Sequence, residues 1–213
     1  SMAYSWGFPV QTLAAPAGEM LDAYALCIED DDDYEDGGGL IYAQLLSMIS
    51  MGVLLNANEA LQRLGRRLAA AGHRDYLVGY MLRYALPDCE LPETLLWPED
   101  AGCAKLMEIT RSEKPATGLQ EYLDKIYYTR DNLEDDYGAH KKADNSYTGH
   151  WSFESAAIAK IMGVDDALLK SSPYYPYDMV HGDSFPAGEA PVIIPVLPEI
   201  KMEAPRKKKW WQF

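Results

Sequence analysis

The sequence is poor in cysteine, in phenylalanine and in positive charge, and no hydrophobic run in it goes uninterrupted for long. Its 213 residues include only three cysteines, Cys27, Cys89 and Cys103, with no CxxC pair and one left over in any pairing. That excludes a scaffold built on disulfides and fits reduced thiols in a cytosol. Nineteen Lys and Arg stand against 33 Asp and Glu, a formal net charge of −14. Phosphate contacts need Lys and Arg, so nucleic acid is not expected as a partner. The longest apolar stretch, Leu40–Leu55, is broken by Gln44, Ser47 and Ser50 and is short for a bilayer crossing. It reads as a core helix, and no membrane partner is expected. No charged-then-apolar leader precedes a small-residue cleavage site, which points to the cytoplasm. Finally, no segment of the body alternates with period two over the length of a strand.

What is present is helical periodicity. Met20, Leu21, Tyr24, Ala25 and Ile28 recur at helical spacing after Pro16, which sits where a helix could begin. Leu40–Leu55 is apolar almost all round, as a helix surrounded by others would be. Asn56 followed by Glu59 has the form of a capping box before Leu61, Leu64 and Leu68. Arg74–Leu86 carries Leu77, Tyr80, Met81 and Tyr84 on one stripe, and Pro87 closes it. Thr117 and Gln120 form a second box ahead of Leu119, Tyr122, Leu123, Ile126 and Tyr127. Ser152–Met162 is a further helix. The expectation is an all-α, multi-helix, single-domain bundle over residues 3–181. An extended, Pro-rich tail follows over 182–213 and ends in the basic-aromatic RKKKWWQF. Within 201–213 five bases face one acid, a sum of +4, which leaves −18 for the rest.

Two acidic clusters stand out. Glu29, Asp30, Asp31, Asp32, Asp33, Glu35 and Asp36 place seven acids in eight positions between two apolar helices, followed by three glycines. Asp131, Glu134, Asp135 and Asp136 end the helix that begins near Gly118. Negative charge at a helix C-terminus opposes the macrodipole, and neighbouring carboxylates repel, at ~1–2 kcal/mol for the longer run. Choices that oppose the fold tend to occur at functional positions. A binding surface for a basic partner is one reading of these clusters, and a solvated loop that discourages association is the other. A calcium loop fails on spacing. With Asp31, Asp33 and Glu35 as the first ligands, the required glycine is Asp36 and the closing glutamate is Tyr42.

Catalysis finds no footing. HExxH, GxSxG, GxxxxGK[ST] and GxGxxG are all missing. His140 and His150 bracket KKADNSYTG, but the segment lacks the strand pattern that a metal-dependent nuclease element needs, and no histidine pair has ligand spacing. No catalytic residue, metal or other cofactor is expected.

The stretch Gly149–His181 opens with Trp151-Ser152-Phe153-Glu154, continues as a small-residue helix, and reaches Tyr174-Tyr175-Pro176-Tyr177-Asp178. It resembles the C-terminal region of the PoNi family, the immunity proteins against PoNe-type DNase toxins. Arg74-Asp75-Tyr76-Leu77 leading to Leu95-Leu96-Trp97-Pro98 is similar to the elements that precede that motif in the family, whose region here is about 74–181. Tyr4-Ser5-Trp6-Gly7 resembles a step in the family's N-terminal part. The resemblance implies an α-helical cytoplasmic protein, not an enzyme, that binds and neutralises a cognate antibacterial toxin. That toxin would be a DNase effector of a type VI or other contact-dependent secretion system, with a basic nuclease domain. Trp97, Trp151, Phe153, Glu154, Tyr174, Tyr175, Pro176 and Tyr177 are then expected to maintain the fold, with Glu154 stabilised by the dipole of its helix. The two acidic clusters are the candidate toxin-binding residues. A homodimer stays open as an oligomeric state. The alternatives are a metal-dependent hydrolase using the acidic clusters as ligands, and an adaptor or chaperone for a basic secreted effector.

Overall fold

Helix α3 (Gly38–Leu54) organises the molecule because it has almost no polar side to turn outward. It buries Tyr42, Leu45, Leu46, Ile49, Val53 and Leu54, positions that lie on more than one face. Helices α2 (Val10–Ile28), α4 (Asn58–Ala70), α5 (Tyr76–Leu82) and α9 (Phe153–Met162) all pack on it. Its one fully buried polar side chain, Ser50, is satisfied within the helix, donating to the Leu46 carbonyl at 2.7 Å. Gly52 allows the closest approach. A Cβ there would lie 2.7 Å from a Leu61 methyl and 2.9 Å from a Leu21 methyl, so α2 and α4 close onto α3 only over a glycine.

The computed structural model describes residues 2–5, 7–28, 38–133, 137–138 and 149–182. Among them every regular element is helical, as the periodicity predicts. The remaining elements are α1 (Met2–Ser5), α6 (Ala101–Thr110), α7 (Pro115–Tyr122), α8 (Arg130–Leu133), α10 (Tyr177–Val180) and a 3-10 turn, Leu169–Ser171. Helix α7 runs directly into a π turn, Leu123–Tyr127. The tail expected to be extended lies outside the described residues.

Three expected helix starts are corrected. Helix α2 begins at Val10 and carries Pro16 inside, where the proline cannot donate to the Thr12 carbonyl. Asn56 is no N-cap. It adopts φ +54°, α4 begins at Asn58, and the Asn56 side-chain oxygen instead accepts the Tyr84 hydroxyl at 2.8 Å and Lys160 Nζ at 2.9 Å. Thr117 lies inside α7, whose first residue is Pro115 and whose cap position is Lys114. At Asn56 a local pattern competes with long-range packing, and packing decides.

The caps that do operate are aspartates. Asp75 receives Val78 N at 2.9 Å on one oxygen, and Tyr42 Oη at 3.0 Å and Leu96 N at 2.8 Å on the other. It is only 1% exposed. One carboxylate thereby caps α5, holds α3 through Tyr42, and pins the Leu95-Leu96-Trp97 connection. Asp100 caps α6 in the same way, accepting Cys103 N at 2.7 Å.

The C-terminal motif closes the other side. Ser152 N donates to the Tyr174 carbonyl at 2.9 Å, while Tyr174 stacks on Tyr128 with ring centroids 4.9 Å apart. Phe153, Tyr175 and Pro176 are buried, and Trp151, Tyr174 and Tyr177 pack on the core while partly exposed. Asp166 ties down the segment around α10, accepting Tyr175 Oη at 2.8 Å and lying 2.9 Å from His181 Nε2.

Candidate functional site

A cleft of about 740 Å³ lies where α3, α6, the α7–π segment, α8 and the start of α9 meet. Its walls are apolar and aromatic, with acids among them. Tyr42 and Leu46 come from α3, and Cys103 and Leu106 from α6. The π turn shapes the opposite wall. Its i→i+5 pattern sets Tyr127 below Tyr122, with centroids 6.1 Å apart, and both line the cleft. Trp97 enters from the pinned connection, and its buried indole N–H finds no acceptor among the described residues. Trp151 is fixed from behind. Its indole donates to Ser5 Oγ at 2.8 Å, and the Tyr4 ring meets it edge-on at 4.9 Å. The Tyr4-Ser5 step and the Trp151–Glu154 step, 146 residues apart, thus build one corner. Gly149, at φ +91°, has no room for a side chain there, since a Cβ would run into Ser5 Oγ.

Glu154 sits in this corner, in the first turn of α9. The helix dipole favours its charged form, but burial outweighs the dipole and pushes the carboxyl up to about 7. No hydrogen bond or ion pair joins its carboxyl to another side chain among the described residues. Burial also raises its neighbours. Cys103 is held well above the ordinary thiol value, first by burial and then by Asp100, so it stays a protonated thiol and is no nucleophile. Tyr122 and Tyr42 are raised by burial as well. The base that lines the cleft, Lys125, is paired with Glu121 at 2.9 Å. Glu99, Asp100 and Glu154 therefore leave the cleft with acid in excess.

The pH dependence of Glu154 gives a first test. Its folded value lies above the ordinary 4.5, so the unfolded chain releases its proton first as pH rises. Stability is unaffected below about 4.5, falls between there and about 7, and stays reduced above. Part of the residue's surface is exposed, which limits the loss to ~1–3 kcal/mol. Glu154→Gln should therefore melt several degrees above the wild type at pH 8 and level with it at pH 4, in paired thermal denaturation curves.

The expected toxin-binding acids fall mostly beyond what the structure describes. Glu29, Asp30, Asp31, Asp32, Asp33, Glu35 and Asp36 lie outside the described residues, as do Glu134, Asp135 and Asp136, and Asp131 is placed only as a backbone position in α8. Their points of attachment are described. The longer run joins α3 at Gly38, four residues before the cleft residue Tyr42, and the second cluster follows the cleft residue Leu133. Sequence reasoning did not single out Glu154 as a cleft residue or Asp75 as a hub. The available signals were an acid in the first turn of the small-residue helix FESAAIAKIM, and an aspartate immediately before an apolar helical stripe.

Residues 73–179, about half of the chain, match the family model of PoNe immunity proteins (PoNi), C-terminal. The chain belongs to the PoNi family. The matched stretch contains the Asp75 hub, α5 to α9 and Glu154, so the PoNi region supplies most of the cleft and α3 completes it. Among solved structures, the protein PA2201 from Pseudomonas aeruginosa is similar, with 28% identity and a TM-score of 0.50 over 66% of this chain. The chain spans half the length of that protein. No curated protein matches significantly. Among the described residues no helix is long and apolar enough to cross a membrane, and no three His, Cys, Asp or Glu come together to hold a metal ion. The acidic clusters on which the hydrolase alternative rests lie almost wholly outside the described residues.

Proposed function

We propose that this PoNi-family chain protects its own cell by binding a cognate toxin one to one, without chemistry of its own. The toxin is a DNase effector delivered by a type VI or other contact-dependent secretion system, and the encounter takes place in the cytoplasm. The observation that carries this reading is the family match over residues 73–179. A nuclease that grips DNA presents a basic groove, and a chain of net charge −14 suits such a surface. The two acidic clusters are the proposed steering surface. Charge speeds the encounter, and the aromatic walls supply contacts that slow release.

The role is tested by expressing the toxin encoded beside this chain with and without it. Survival and loss of DNA cleavage are expected only with it, whereas an adaptor or chaperone would leave the toxin active. The steering surface is tested by changing the seven acids of the 29–36 run to Asn and Gln. The association rate should fall about tenfold or more at low salt and lose most of its salt dependence. An unchanged rate in stopped-flow mixing would remove the acidic surface from the mechanism and leave the immunity role standing.

A further inference from the structure

We propose that the cleft is the anchor pocket for the toxin, receiving a lysine or arginine side chain whose cationic head pairs with Glu154. This rests on the immunity reading above and adds the residue and the chemistry of recognition.

Four observations converge on a cationic occupant. Glu154 is an acid among aromatic walls with no cation beside it among the described residues, and the lining base Lys125 is held by Glu121. Buried carboxylates are normally paired, so a carboxyl left alone in a cleft implies a partner that brings the counter-charge. The walls suit the rest of such a side chain, since the rings of Tyr42, Tyr122 and Trp151 can flank an alkyl stem or a guanidinium plane. The buried N–H of Trp97 is a donor still lacking an acceptor, as the backbone carbonyl of an inserted loop would provide. Finally, about 740 Å³ is more than one side chain needs, so the loop carrying the cation can enter too. Phosphate and other anions are repelled by Glu99, Asp100 and Glu154, which rules against a nucleotide in the same place.

Pairing with a cation requires the charged form of Glu154. Burial holds that carboxyl near 7, so binding near neutral pH releases a proton. The groups lining the cleft with it are Tyr42 on α3, Glu99 and Asp100 ahead of α6, Cys103 on α6, and Tyr122, Lys125 and Tyr127 opposite. Burial keeps Tyr42, Cys103 and Tyr122 protonated through this range, which leaves Glu154 as the group whose titration the cation shifts.

The experiment measures the affinity of wild type, Glu154→Gln and Glu154→Lys for the catalytically silenced C-terminal domain of the toxin encoded beside this chain. Calorimetry is run in two buffers of different ionisation enthalpy. Glu154→Gln should keep the fold and bind about ten- to a hundredfold more weakly, and its binding should lose the proton release seen with wild type. Glu154→Lys, which supplies the charge from within, should bind more weakly still. Wild-type affinity in Glu154→Gln together with unaltered proton release overturns the anchor pocket while toxin neutralisation by the wild type stands. Tighter toxin binding by wild type lacking residues 206–213, with no loss in Glu154→Gln, also overturns it, because the cleft would then belong to the chain's own basic tail. A wild type that neither binds nor protects defeats the immunity reading itself.

Discussion

Changing Asp75 to alanine is expected to cost ~3–5 kcal/mol, a large part of the stability of a domain this size. The carboxylate accepts Val78 N, Leu96 N and the Tyr42 hydroxyl, all within 3.0 Å, in a site that water does not reach. Alanine removes an N-cap worth ~1 kcal/mol. It also leaves the Tyr42 hydroxyl and the Leu96 N–H without an acceptor, each at ~1–3 kcal/mol. Asparagine keeps an acceptor oxygen for the cap but places an amide NH₂ opposite a donor, so Asp75→Asn should lose about half as much. The check is denaturant unfolding of the three proteins, read as midpoints at constant slope. A midpoint for Asp75→Ala within error of wild type would mean that these bonds contribute nothing net. Because Asp75 also holds Trp97 and Tyr42, two walls of the cleft, the alanine variant should bind toxin more weakly even below its unfolding transition.

The second large effect is expected at Asp166. This residue is buried and accepts the Tyr175 hydroxyl at 2.8 Å while lying 2.9 Å from His181 Nε2. Asp166→Ala strands the Tyr175 hydroxyl, which is itself buried, and frees the segment after α10, for a loss of ~2–4 kcal/mol. Tyr175→Phe removes the hydroxyl together with its need for an acceptor and leaves Asp166 its histidine, so the smaller loss of ~1 kcal/mol is expected there. The order of the two variants, measured by thermal unfolding at neutral pH, distinguishes a hydrogen-bonded latch from simple packing. Packing alone predicts that the two changes cost about the same. Native-state hydrogen exchange should show α10 opening first in Asp166→Ala.

These two aspartates show where sequence reading reached its limit. Asp75 precedes an apolar stripe and could be read as a cap, yet its weight comes from Tyr42, 33 positions earlier, and Leu96, 21 positions later. Neither distance has a sequence signature. The Asn56 and Thr117 boxes failed for the opposite reason. Their spacing is right, but Asn56 is claimed by Tyr84, just past the end of α5, and by Lys160 of α9, and α7 starts earlier at Pro115. A cap motif is a local preference of about 1 kcal/mol, and tertiary contacts of that size override it. The aromatic motif read differently again. Trp151 and Phe153 were expected to pack the C-terminal helices, and they do touch Tyr4 across the chain, but Glu154, next to Phe153 in the first turn of α9, faces the cleft. Its first-turn position suggested a carboxylate stabilised by the dipole, and burial reverses that.

By itself the sequence determined the class of fold and the family. Helical periodicity without alternation leaves only helices, a nearly all-apolar α3 must be surrounded, and the ordered motif from Arg74 to His181 carries the PoNi resemblance. These properties are local or additive along the chain, so no folding is needed to see them. Only the tertiary structure decided that a cleft exists and that Glu154 stands in it with no counter-charge beside it among the described residues. Each of those depends on which distant helices shut out water around a given side chain, and burial is a property of the assembled bundle.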